Sequence, residues 1–139
     1  MLAAWIMELI LLIAPQYDVP PYLVAAIIIK ESQGNPNAVG HNADGTFDGG
    51  LMQLNSSWFN DEWKCAETNI TAGCKLLKEY YDYADWNWWQ VCIAYNWGIG
   101  NYIKGHKNPN EKAVNYACDV FEIWLSLEQD RSIKSYGRP

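Results

Sequence analysis

Seven apolar residues in an unbroken row, Leu23-Val24-Ala25-Ala26-Ile27-Ile28-Ile29, lie between Pro20-Pro21 and Gly34-Asn35-Pro36. Proline suits a first helical turn, where its missing N–H would have no partner, whereas the glycine, asparagine and proline cannot carry a helix onward. The chain from Pro20-Pro21 to about Ser32 therefore reads as a short helix, apolar nearly all round and so mostly buried. Its last turn nevertheless holds a carboxylate, Glu31, in the run K-E-S-Q-G-N-P. Stability alone would not select one there.

With 139 residues, half of them apolar, the chain suits one domain whose core needs neither metal nor crosslink. Its net charge of -6 and its ten scattered basic residues argue against nucleic acid, since phosphate neutralisation needs clustered Lys and Arg. The segment Met1 to Ala14 lacks the basic start of a signal peptide, carries Glu8 among its apolar residues and is too short to span a bilayer. Ile6, Leu9, Ile10 and Ile13 recur at helical spacing, which predicts a core-facing first helix ending near Pro15.

Further along, no internal repeat or low-complexity linker occurs. The stretch from Asn37 to Asp48 is dense in turn residues, and Asp44-Gly45 suits the closure of a small hairpin. Asn69 is expected to cap a helix from Ile70 to about Ala84, with Ile70, Gly73, Cys74, Leu77 and Tyr81 on its core face. Asn87 should cap another, bearing Trp89, Cys92, Ile93 and Asn96 and ended by Gly98 and Gly100. Asn110 should cap a last one, with Val114, Ala117, Cys118, Phe121 and Leu125 inward. The fold class is mainly α, with five or more helices and one small hairpin or loop. Residues 1–128 read as the domain and residues 129–139 as a polar tail.

Cys65, Cys74, Cys92 and Cys118 form no CxxC pair, and with only two histidines a zinc site is not expected. Two disulfides in any of three connectivities and buried thiols are both open readings, Cys74 lying on a core stripe. The cysteines lean only weakly towards an oxidising compartment. His41 and His106 lie in turn-rich segments and receive no role.

An apolar wall and the negative end of a helix both disfavour an ionised Glu31, so both push its pKa upward. A carboxyl group so raised can donate a proton to a leaving oxygen at neutral pH. The bland alternative is a helix-end glutamate paired with Lys30 or another neighbour.

Four motifs weigh against that alternative: Glu31-Ser32-Gln33-Gly34-Asn35-Pro36, Gly50-Leu51-Met52-Gln53-Leu54-Asn55, Ala94-Tyr95-Asn96-Trp97-Gly98 and Asn115-Tyr116, in this order. Their succession resembles the lytic transglycosylases of the lysozyme superfamily over roughly Ile6 to Leu127. Val19-Pro20-Pro21 also looks like that family's link between its first two helices. The resemblance implies a lysozyme-like fold with its hairpin or loop beside an active-site cleft. It makes Glu31 the catalytic acid and base, and Ser32 a support for the helix end. Gln53 and Asn96 would hydrogen-bond substrate, Met52 and Tyr95 would line the cleft, and Tyr116 would orient Glu31. On the residues alone, Met52 serves equally as core filler, whereas Gln53 and Asn96 need partners if buried.

Asp48, seventeen positions after Glu31 in D-G-T-F-D-G-G-L-M-Q-L-N, resembles the second carboxylate of chicken-type lysozymes. The same stretch looks like the small transglycosylases that open the wall for secretion systems and pili. Asp48 would stabilise or attack a glycosyl cation; otherwise it accepts backbone hydrogen bonds in its turn. Of the aromatic residues, Trp58 and Trp97 are the candidates for stacking on sugar.

The activity the resemblance implies is cleavage of the β-1,4 bond between N-acetylmuramic acid and N-acetylglucosamine in peptidoglycan, closing a 1,6-anhydro ring without metal or organic cofactor. The expectations that follow are a monomer in the periplasm or envelope, acting on glycan strands, with a secretion-apparatus protein as partner and any export signal outside these residues. Three alternatives stand beside it: a hydrolytic muramidase using Glu31 with Asp48, a non-catalytic glycan-binding module, and an interaction subunit of an envelope machine.

Overall fold

The proline pair opens a helix, and Gln33 and Gly34 close it. In the computed structural model, which describes residues 2–60 and 62–136 and side chains as far as Arg131, α1 spans Ala4–Ile13 and α2 spans Pro21–Ser32. A single 3-10 turn, Ala14–Tyr17, holds Pro15 between them. Strands β1 (Val39–His41), β2 (Phe47–Gly49) and β3 (Leu54–Asn55) follow, then α3 (Ala66–Tyr83), α4 (Trp88–Trp97), α5 (Ile99–Gly105) and α6 (Glu111–Tyr136). This mainly helical, lysozyme-like architecture divides into two units, residues 1–76 and 77–139, with the boundary inside α3.

In the first unit Leu23 through Ile28 are all buried, as expected of a helix with no polar face. Ile6, Ile10 and Ile13 of α1 pack over α2, while Leu9 stays partly exposed. The three strands form one antiparallel sheet in the order β1-β2-β3, with Gly40 opposite Asp48 and Asp48 opposite Asn55. The anticipated hairpin closes through Asn42–Thr46: the Asn42 N–H donates to the Thr46 carbonyl at 2.9 Å, and Gly45 supplies the positive φ of 88°. Asp44 accepts from the Thr46 N–H at 2.9 Å and hydroxyl at 2.6 Å, the hydroxyl bond doing most to hold its carboxyl below the ordinary range.

In the second unit, Asn87 caps α4 by accepting from the Gln90 N–H at 3.2 Å, and Asn110 caps α6 by accepting from the Ala113 N–H at 3.2 Å, both as expected. Three expectations need correction. Gly98 ends α4, but the chain re-enters a helix at once: the Gly98 N–H donates to the Ala94 carbonyl at 2.8 Å while its own carbonyl accepts from Tyr102 at 3.0 Å. Gly100 therefore lies inside α5 and ends nothing. α6 runs on through Tyr136, because residues 129–136 contain no glycine or proline and polarity alone does not stop a helix. Finally, its buried positions are Ala113, Tyr116, Ala117 and Val120, shared with Val91, Cys92, Ile93 and Ala94 of α4. Of the stripe read as inward only Ala117 is fully buried; Cys118 and Leu125 are exposed. Two stripes of the same period run along α6, and packing against α4 selects the other.

Candidate active site

Glu31 stands half-buried in the last turn of α2. The helix closes when Gln33 adopts a left-handed φ of 54°, its N–H bonding the Ile29 carbonyl at 3.1 Å, and Gly34 follows at φ 79°. A side chain so rarely left-handed needs support, and Ser32 gives it. The Ser32 hydroxyl lies 2.7 Å from the Leu51 carbonyl and 3.1 Å from that of Ile28, and it accepts from the Gly34 N–H at 3.2 Å. The bond to Leu51 ties Glu31's helix end to the G-G-L-M-Q loop. Ser32→Ala should cost about 1–3 kcal/mol by leaving a buried carbonyl unpaired, measurable as a lower urea midpoint at unchanged m-value.

The loop is fixed from below by Asn69, which has no exposed surface. Its Oδ1 accepts from the Met52 N–H at 2.9 Å, and its Nδ2 donates to the carbonyls of Gly49 at 3.0 Å and Trp63 at 3.1 Å. This overturns its reading as an N-cap: α3 begins at Ala66, where good helix formers lead in, so Asn69 lies within the helix and bonds across to the loop. The expectation missed its role, although its place one residue before Ile70 and four before Gly73, on a predicted core face, was the signal that a polar group there needed partners. Above it, Gly49 lies so close under Trp63 that a Cβ would come within 2.7 Å of the indole.

Met52 is wholly buried with its sulfur against Gly73, so its side chain fills the core and presents no face to a substrate. Of its two readings, core filler is the one the packing supports. Gln53, at a left-handed φ of 52°, donates from Nε2 to the carbonyls of Ala38 and Gly50, each at 3.0 Å. One bond thus ties the loop to Ala38, just ahead of β1, and the other closes the loop on Gly50, leaving Oε1 as its group for any ligand. Asp48, half-buried on β2, accepts from the Asn55 Nδ2 at 3.0 Å, and that same amide reaches the Thr46 hydroxyl at 3.2 Å. Asp48 thus bonds to a neighbouring strand's side chain. Asn55, unassigned from sequence, holds one carboxylate oxygen.

In the second unit Tyr95 and Asn96 are half-buried near the end of α4, and Tyr116 is buried on α6. The two tyrosine rings run nearly parallel, 14° apart in plane with centroids separated by 6.4 Å. Trp97 packs beside Gly105, where a Cβ would meet its ring at 2.9 Å, whereas Trp58 of the first unit is half-exposed beside Phe59.

All four cysteines are free thiols, which decides between the two readings left open. Burial pushes Cys74 and Cys92 up to about 12. Cys65 is exposed and held below the ordinary thiol value, first by hydrogen bonding to the Thr68 side chain. Titration with a disulfide reagent at neutral pH should therefore modify Cys65 fastest, Cys118 next, and Cys74 and Cys92 only on unfolding. An unfolded thiol ionises near 9.0 while these two stay protonated to about 12, so their contribution to stability is fully present below pH 9 and is lost as pH rises towards 12.

A buried helix that bears a carboxylate in its last turn, and whose following serine is hydrogen-bonded to a loop beside a small antiparallel sheet, fits the lysozyme-like class, and sequence comparison narrows that class. The chain matches the transglycosylase SLT domain over residues 8–117 and belongs to that family. It is 48% identical over 127 residues to the invasion protein IagB of Salmonella typhimurium strain SL1344, covering 81% of this chain and 72% of that protein. Protein IpgF of Shigella flexneri is 29% identical over 117 residues, covering 81% and 76%. Lysozyme C of Takifugu rubripes is 54% identical over 49 residues, 34% of each chain. Family membership brings with it glycosidic-bond cleavage of the lytic-transglycosylase or lysozyme type.

Proposed function

We propose that the protein is a peptidoglycan lytic transglycosylase acting in the periplasm or cell envelope. Glu31 protonates the oxygen that bridges N-acetylmuramic acid to N-acetylglucosamine, and the glycosidic bond breaks with its electron pair on that oxygen. The Glu31 carboxylate then takes the proton of the muramyl C6 hydroxyl, whose oxygen bonds to C1 and closes the 1,6-anhydro ring. One group serves as acid and base, so no water and no cofactor is consumed. The observation that carries this reading is the bond from Ser32 to Leu51, which holds the Glu31 helix end to the G-G-L-M-Q loop at 2.7 Å. Fixed placement of an acid is what proton transfer to a bound sugar requires.

In this reading Asp48, oriented by Asn55, stabilises positive charge at the breaking bond, and the substrate's acetamido group shares that charge. Gln53 contacts the sugars through Oε1, and Tyr95, Asn96 and Tyr116 keep the roles that the family resemblance implies. That the relative IagB is an invasion protein supports local opening of the wall, in this reading at a secretion apparatus. The net charge of -6 fits that use: walls are rich in carboxylates, so the chain gains no long-range attraction to them and suits local cutting better than indiscriminate lysis.

A second reading is favoured by the lysozyme C match together with the Asp48–Asn55 pair: hydrolysis, with Asp48 assisting water. Mass spectrometry of wall fragments released by the purified protein separates the two. Anhydro ends, one water lighter than reducing ends, are expected; reducing ends alone would make the protein a muramidase, and no release at all would remove both readings.

A further inference from the structure

Three residues of the α6 stripe that sequence periodicity assigns to the core, Cys118, Phe121 and Leu125, border an open groove of about 500 Å³ in the second unit instead. Trp89, Phe121 and Trp124 form its aromatic wall in an edge-to-face row, with centroids 5.1 Å apart at 79° and then 5.3 Å apart at 82°. Leu125 joins them with 61% of its surface exposed, and Cys118, Glu122 and Glu128 complete the lining. The Trp124 indole N–H is withdrawn from solvent yet has no acceptor among the described residues. A rigid apolar wall with a stranded donor is costly for a lone chain and suits an occupant that covers it. Six of these seven residues lie beyond residue 117, where the match to the catalytic family ends, so most of the groove lies outside what that match covers.

Charge decides among occupants. The Glu122 carboxylate, with Glu128 already beside the Arg131 guanidinium at 3.6 Å, opposes an anionic membrane surface and the carboxylate-rich wall. A second copy would bring the same acidic rim against itself across a two-fold axis, in a chain already at -6. A helix with one apolar face and flanking lysine or arginine satisfies both walls and rim, and it satisfies its own backbone, which a groove between helices cannot do for an extended strand. We propose that this groove docks such a basic amphipathic helix from a partner protein, and this holds whether or not the chain cleaves peptidoglycan.

Two fluorescein-labelled synthetic helices test it with the full-length chain. They share leucines at i, i+3, i+4 and i+7 and differ in lysine or glutamate flanks. Anisotropy should show saturable binding of the lysine peptide, weakened by salt, and much weaker binding of the glutamate peptide. Leu125→Asp, at an exposed position and checked by an unchanged melting temperature, should weaken the lysine peptide by about tenfold or more. Glu122→Lys with Glu128→Lys should reverse the preference between the peptides. Equal binding of both peptides, or binding indifferent to Leu125→Asp, would overturn the proposal. So would Leu125-dependent self-association in sedimentation, or Leu125-dependent binding to phosphatidylglycerol vesicles or chito-oligosaccharide, each giving the groove another occupant.

Discussion

Glu31→Gln should reduce release of soluble wall fragments by about 100-fold to 10,000-fold while leaving the melting temperature nearly unchanged. The amide keeps the size and shape of the side chain but can neither give up a proton to the bridging oxygen nor take one from the C6 hydroxyl. Because Glu31 is only half-buried and glutamine keeps its shape, the fold should be retained. Glu31→Asp should retain a small part of the activity, since the acid remains but stands one methylene short of the sugar. If Glu31→Gln cut peptidoglycan at the native rate, the acid would have to be sought elsewhere.

Gly50→Ala should be the most damaging single methyl group, lowering stability by about 3–5 kcal/mol in urea unfolding. Gly50 has a φ of 79°, and an added Cβ would run into the Asn69 side-chain amide and the Trp63 carbonyl. The methyl group thus brings backbone strain and also pushes Asn69 off the bonds that hold Met52, Gly49 and Trp63. Gly45→Ala is the control. Its φ of 88° is equally left-handed, but nothing lies within 4 Å of the added carbon, so only the backbone cost of about 1 kcal/mol is expected. Equal effects at the two glycines would mean that Asn69 does not hold the loop as described. For a domain stable by about 5–15 kcal/mol, the Gly50 loss would also lower the folded population at growth temperature.

Legibility followed the range of the forces involved. The proline pair, the apolar run and the asparagine caps at 87 and 110 act over a few residues, so α2, α4 and the start of α6 could be read directly. Asn69 could not be placed by the same rule, because an asparagine ahead of an apolar stripe looks alike whether it caps its own helix or bonds a loop seventeen residues back. The inward face of α6 was illegible for a related reason: 113/116/117/120 and 114/117/118/121 have the same period, and only packing against α4 chooses. Of the candidate site, the ordered motifs singled out Glu31, Ser32 and Gln53, and the stretch from Asp44 to Asp48 singled out Asp48. The clamp that Gln53 makes to Ala38 and Gly50, the burial of Met52, and the hold of Asn55 on Asp48 are tertiary facts with no local signature.

Digestion of purified peptidoglycan in water enriched in heavy oxygen tests the central chemistry most directly. If one carboxyl group gives and retakes a proton while the sugar's own hydroxyl closes the ring, the new muramyl ends should carry none of the label. Label in those ends at the moment of cleavage would mean that water attacks, and would contradict this mechanism.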